Sequence, residues 1–225
     1  MTETLIKVLI YIHAFFGGIG LVAGYATIIA KKGSSGHKLY GKIFSTGMLV
    51  SSLLSLIVAQ MPHHKNVFLF LIGIFTIYLI LSGYTALSFK SKTKQSASIK
   101  DYTTSVIMLI SGIVMLLMGI INWSVMLQFA LLYLIFGGIS VFISSRDIIF
   151  YKNLKNIRKR WLQHHLGKMI GALIASTTAF IVAGLHYGNL IGWLAPTVLG
   201  TFYIIYWMRK MTKKQNNASI DFIDQ

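Results

Sequence analysis

Seven runs of mostly apolar residues follow one another along the chain, at roughly 5–30, 42–60, 67–89, 102–121, 124–145, 164–185 and 190–208. A helix needs about 20 such residues to cross the hydrocarbon core of a bilayer. Seven crossings consume roughly 140 residues of the 225 present. Only 12% of the residues are charged, half the share of about 25% in an ordinary soluble domain. The fold class expected is therefore all-α: a polytopic bundle of seven transmembrane helices. Residues 1–211 form the membrane domain, and 212–225 a polar, frayed cytoplasmic tail. The first run has no basic flank and no small-residue cleavage site, so it reads as a span rather than a signal peptide. With no cysteine, disulfides, thiolate metal sites and cysteine nucleophiles are excluded.

The net charge of +16 would point to nucleic acid in a soluble protein. Here the basic residues sit between the spans, and their placement carries more than their sum. Lys31, Lys32, Lys38 and Lys42 follow span one. Lys90, Lys92, Lys94 and Lys100 follow span three. Arg146, Lys152, Lys155, Arg158, Lys159 and Arg160 follow span five, and Lys168 stands just inside span six. Arg209, Lys210, Lys213 and Lys214 follow span seven. Of the 21 Lys and Arg, only Lys7 and Lys65 fall on the other side. Basic loops stay in the cytoplasm, so the N-terminus is expected outside and the C-terminus inside. A tight external turn at Asn122–Ser124 completes the alternation. The expected partners are the bilayer and its anionic head groups, not nucleic acid.

Within 146–161, Ile148, Ile149, Tyr151, Leu154 and Ile157 recur at near-helical spacing, which suggests a short amphipathic helix on the inner face. Phe16-Gly17-Gly18-Ile19 matches Phe136-Gly137-Gly138-Ile139. His37 before Gly41-Lys42 resembles His164 before Gly167-Lys168, and Leu71-Ile72-Gly73 resembles Leu190-Ile191-Gly192. One reading is a 3+1+3 repeat, spans 1–3 and 5–7 joined by span 4. The other is chance likeness among glycine-rich apolar helices. Gly17, Gly20 and Gly24 share a strip of span one, suited to close helix packing or to the approach of a flat cofactor.

The seven histidines fall into two tiers, His37, His164 and His165 inside, and His13, His63, His64 and His186 outside. His13 lies about 12 Å into span one, where an ionisable side chain is a functional signal by default. The plainer alternative is a neutral imidazole bonded to a neighbouring helix. His164 and His186 are separated by about 33 Å of helix, close to the roughly 30 Å of hydrocarbon. Imidazoles without thiolates can hold a haem axially or a zinc or copper ion. Two tiers would suit electron transfer across the membrane through a haem b or a metal, on His13 and His186 outside and His37 and His164 inside. Against this stands the reading of His-Gly-Lys clusters as interfacial anchors.

The carboxylates are Glu3, Asp101, Asp147, Asp221 and Asp224, all at or beyond the ends of the expected spans. That placement leaves no mid-membrane proton carrier and argues against an ion-coupled pump. Asp147 is expected to pair with Arg146 or Arg158. Phosphate-loop, G-x-S-x-G and H-E-x-x-H motifs are absent, and whether the chain is an enzyme stays open. Ser51, Ser52, Ser55 and Gln60 in span two and Ser176, Thr177 and Thr178 in span six either bond between helices or line a polar cavity. Pro196 within span seven would free carbonyls toward such a cavity.

Several stretches resemble an uncharacterised family of bacterial multi-spanning membrane proteins. They are His13 with Gly17-Gly18, Lys32-Gly33-Ser34, His37 through Gly41, Trp161 with His164, His165, Met169 and Gly171, Thr178-Ala179-Phe180, and Trp193-Leu194-Ala195-Pro196-Thr197 ending near Tyr206-Trp207. Lys38 stands where that family leads one to expect Arg. The resemblance implies a bacterial inner-membrane protein and brings no activity with it. A more distant likeness to transmembrane cytochrome b and ferric-reductase-type proteins rests on paired histidines in helices. The 3+1+3 arrangement is also similar to small sugar facilitators. The alternatives to electron transfer are thus a small-solute facilitator with a cavity between spans two and six, or a non-catalytic binding or assembly protein.

Overall fold

The protein, seen in a computed structural model, is described over residues 2–91, 94, 96–124 and 127–220. Seven α-helices account for its architecture: α1 Thr2–Ile29, α2 Ser35–Val58, α3 Val67–Thr85, α4 Ile99–Ile121, α5 Leu127–Tyr151, α6 Leu154–Ala179 and α7 Leu190–Ile220. A 3₁₀ turn, Ala86–Lys90, extends α3, and a π turn, Phe180–Gly184, extends α6. All seven are long and apolar enough to cross a membrane. Their outward faces agree with this. Tyr11, Val22, Ile29 and Leu199 are each more than 70% exposed, which a water-soluble fold would avoid and a lipid-facing one requires.

Local chemistry sets the ends of the helices. Lys32 Nζ donates to Thr27 O and Ile28 O at the end of α1, both at 2.9 Å, satisfying carbonyls that the helix leaves open. Gly33 then turns the chain at φ +82°, a left-handed conformation that glycine adopts without cost. Ser34 accepts from His37 N and caps α2. Asn66 caps α3 in the same way, and Ser98 with Asp101 forms a reciprocal capping box on α4. Asn122 closes α4.

Two tight antiparallel hairpins, α1/α2 and α4/α5, flank a central α3 that packs on α2, α4 and α6. Helix α6 also touches α1, α5 and α7. Glycines seal both hairpins. A Cβ on Gly47 would stand 2.9 Å from Phe16 O and 3.1 Å from Gly20 Cα. One on Gly137 would stand 3.0 Å from Gly112 O and from Leu116 N. In the matched Phe-Gly-Gly-Ile segments, the first glycine of each pair meets the partner helix, and the second has nothing within 4 Å. The core is one apolar cluster around Phe44, Met48, Tyr78, Leu79 and Met108, and a second of edge-on aromatic rings, Phe68 with Tyr133 and Trp193.

Three sequence expectations need correcting. Residues 146–161 are not a separate surface helix. Helix α5 runs on to Tyr151 and α6 starts at Leu154, so Tyr151 and Ile157 are buried beside Ala86 and Phe89. Of the apolar residues among those charges, Tyr151 and Ile157 face a core, while Ile149 stays exposed. Asp147 therefore lies inside a membrane-spanning helix rather than beyond its end. The seventh helix does not end near 208, since α7 continues to Ile220. Lys92, Asp221 and Asp224 lie outside the described residues, as do the side chains of Leu154, Lys155 and Lys214.

Candidate functional site

Three helices each contribute two polar residues one turn apart: Tyr78 and Ser82 from α3, Asp147 and Tyr151 from α5, and His164 and Lys168 from α6. Residues at i and i+4 share a helix face, and the three faces meet near the basic end of the bundle. Asp147, Lys168, Ser82, Tyr78 and Tyr151 are all buried. Lys168 Nζ lies 2.7 Å from Asp147 Oδ2 and also donates to the Tyr78 hydroxyl. Tyr78 in turn donates to Asp147 Oδ2 at 2.5 Å. The expected pairing of Asp147 with Arg146 or Arg158 is thus replaced by one with Lys168. Arg146 lies over the Phe142 ring on the exposed side of α5, and a carboxylate inside the bundle is matched by the cation that is inside with it.

Donor counting orders the rest of the cluster. Ser82 Oγ lies 3.2 Å from Asp147 Oδ2, 3.3 Å from Tyr151 OH and 3.2 Å from His164 Nε2. A hydroxyl has one proton, and the ionised carboxylate beside it can only accept. Ser82 therefore donates to Asp147 and accepts from His164 Nε2–H. That tautomer leaves the lone pair of His164 Nδ1 3.8 Å from Asp147 Oδ1. Phe150 stacks nearly parallel on the imidazole, ring centres 4.7 Å apart, and fixes the ring. Replacing Tyr78 with Phe removes the hydroxyl that joins Lys168 to Asp147. We expect a loss of about 1–3 kcal/mol, read as a lower thermal midpoint in detergent by tryptophan fluorescence.

The other expected site residues lie elsewhere. His13 Nδ1 donates to Ser51 O at 2.8 Å, and Ser51 Oγ returns a bond to His13 O at 3.0 Å, so this imidazole ties α1 to α2. His37 Nδ1 donates to Thr27 O. His165 Nδ1 donates to Gly83 O at 2.7 Å. His186 stands exposed at φ 56° between α6 and α7. Among the described residues no three His, Asp or Glu gather as a metal-holding group. For His164 to ligate a haem through Nε2, its bond to Ser82 Oγ would have to break and that nitrogen lose its proton.

Most of the hydroxyls of α2 and α6 are also spent on bonds. Ser51 meets His13, Ser55 bonds Ser52 O, Ser176 bonds Ala172 O and Met48 Sδ, and Thr177 bonds Leu173 O. A groove lies between α1, α6 and α7. It is apolar, has a volume of about 740 Å³ and runs along Tyr25, Ile174, Ala195, Pro196, Leu199 and Tyr203. Compared with known proteins, the chain matches no family model, no curated protein and no solved structure.

Proposed function

We propose that this chain is a proton-linked carrier of the bacterial plasma membrane, N-terminus outside and basic end in the cytoplasm, with Asp147, Lys168 and His164 as its proton-binding element. The observation that carries this reading is the ion pair itself. An aspartate and a lysine sit buried inside membrane-spanning helices, with an imidazole 3.8 Å from the carboxylate. Ionisable residues at such places mark ion pathways and proton relays. The cluster is neutral as an Asp⁻–Lys⁺ pair. One added proton on His164 or Asp147 makes it cationic, and a buried excess charge weakens the contact of α6 with α3 and α5. Such a charge-dependent contact is the bistable element that a carrier needs. At the opposite end, the π turn Phe180–Gly184 and Pro196 supply the irregular backbone at which α6 and α7 can bend.

The proton itself is the probe. On a solid-supported membrane carrying the reconstituted protein, a pH jump is expected to give a transient charge displacement. His164→Gln should remove it or shift its pH dependence, and Asp147→Asn combined with Lys168→Met should abolish it. Asp101→Asn, which alters the other buried carboxylate, should leave it in place. A wild-type protein with no transient sinks the reading. The absorption spectrum separates it from electron transfer. A Soret band in protein from haem-replete cells, lost in His164→Ala, would restore the haem interpretation.

A further inference from the structure

The groove between α1, α6 and α7 ends at a cationic, aromatic mouth. Its wall is apolar, and the Tyr25 and Thr177 hydroxyls bond to each other at 2.9 Å. Tyr203 closes its basic end and packs on Trp207, ring centres 6.3 Å apart. Two ammonium groups converge on the same indole, Lys210 Nζ at 4.9 Å and Lys32 Nζ at 5.7 Å from its centre. They come from opposite sides of the groove, Lys32 from the end of α1 and Lys210 from α7. Lys32 spends two of its three donors on the carbonyls that end α1. Partial burial lowers its ammonium from the usual lysine value, a shift that a nearby anion would offset.

We propose that this groove is a binding site for one anionic glycerophospholipid, its phosphate between Lys32 and Lys210 and its acyl chains along Ile174, Ala195 and Leu199. The match is between an apolar trough and a positive mouth at one end of it. Its volume of about 740 Å³ lies within the roughly 300–1,000 Å³ of small-molecule sites. Aromatic rings at head-group level are the ordinary anchors of that interface. This site is independent of the Asp147 cluster, which occupies a different face of α6.

The test is native mass spectrometry of the full chain with phosphatidylglycerol or phosphatidylcholine added to the micelles. Two interfacial lysines should favour phosphatidylglycerol by about thirtyfold. Lys32→Gln with Lys210→Gln should erase that preference, and Lys32→Arg with Lys210→Arg should keep it. Ala195→Trp, which fills the trough, should weaken both lipids. Equal binding of the two lipids by the wild type overturns the proposal, whatever the folding of any variant. It is also overturned if Lys38→Gln with Lys42→Gln gives the same loss, since attraction would then be diffuse. Full competition by glycerol 3-phosphate alone overturns it too, because the acyl trough would have no part.

Discussion

Asp147→Asn is expected to cost about 3–5 kcal/mol, because it leaves Lys168 as a buried cation without its counter-charge. Lys168→Met should cost a similar amount by leaving the carboxylate alone. The double variant should be much less damaging than the sum of the two, since it removes both charges together. The cycle is read from unfolding midpoints in detergent. The chain offers four tryptophans for the signal. Additive effects of the two single changes would show that the pair at 2.7 Å carries no coupling, and the proton-linked reading would lose its basis.

Gly47→Leu should be strongly damaging. Its side chain would grow from a point 2.9 Å from Phe16 O and 3.1 Å from Gly20 Cα. Both are backbone atoms, which cannot rotate away, so α1 and α2 must separate. Overpacking costs about 1–3 kcal/mol, and more where nothing can yield. Gly18→Leu is the matched control, with nothing within 4 Å of its Cβ position, and should fall within about 0.5 kcal/mol of wild type. Equal damage from the two changes would mean that the hairpin seam is not where the backbone contacts place it.

The seven helices were legible in the sequence because about 20 consecutive apolar residues have few other uses. The glycine strip of α1 was legible for a similar reason, as small residues at one-turn spacing mark close packing. The cluster was harder to see. His164 stood out as a histidine, but Asp147 was read as lying past the end of its helix, among Arg146 and Lys152. Hydropathy falls before a helix ends when its last turns carry charges over a buried face, and that is the case for α5 through Tyr151. The signal that was present is spacing. Tyr78 with Ser82, Asp147 with Tyr151, and His164 with Lys168 are each four apart, at the basic ends of three apolar runs. What spacing within one helix cannot give is which faces meet, because that depends on how α3 sits between its neighbours. His13 shows the converse. Its depth marked it as functional, while its bonds to Ser51 make it a tie between α1 and α2.

The polar cluster draws on α3, α5 and α6, whereas each glycine-sealed hairpin can close by itself from neighbouring segments. During synthesis the hairpins can form early, and the ion pair only after α6 has entered and found α3. Until then Lys168 has no counter-charge, and Asp147 has only the Tyr78 and Ser82 hydroxyls of α3. The same residues therefore report completion. A nascent chain whose α6 has not yet reached α3 carries exposed intramembrane charge, the kind of feature by which quality-control proteases distinguish unfinished molecules from finished ones.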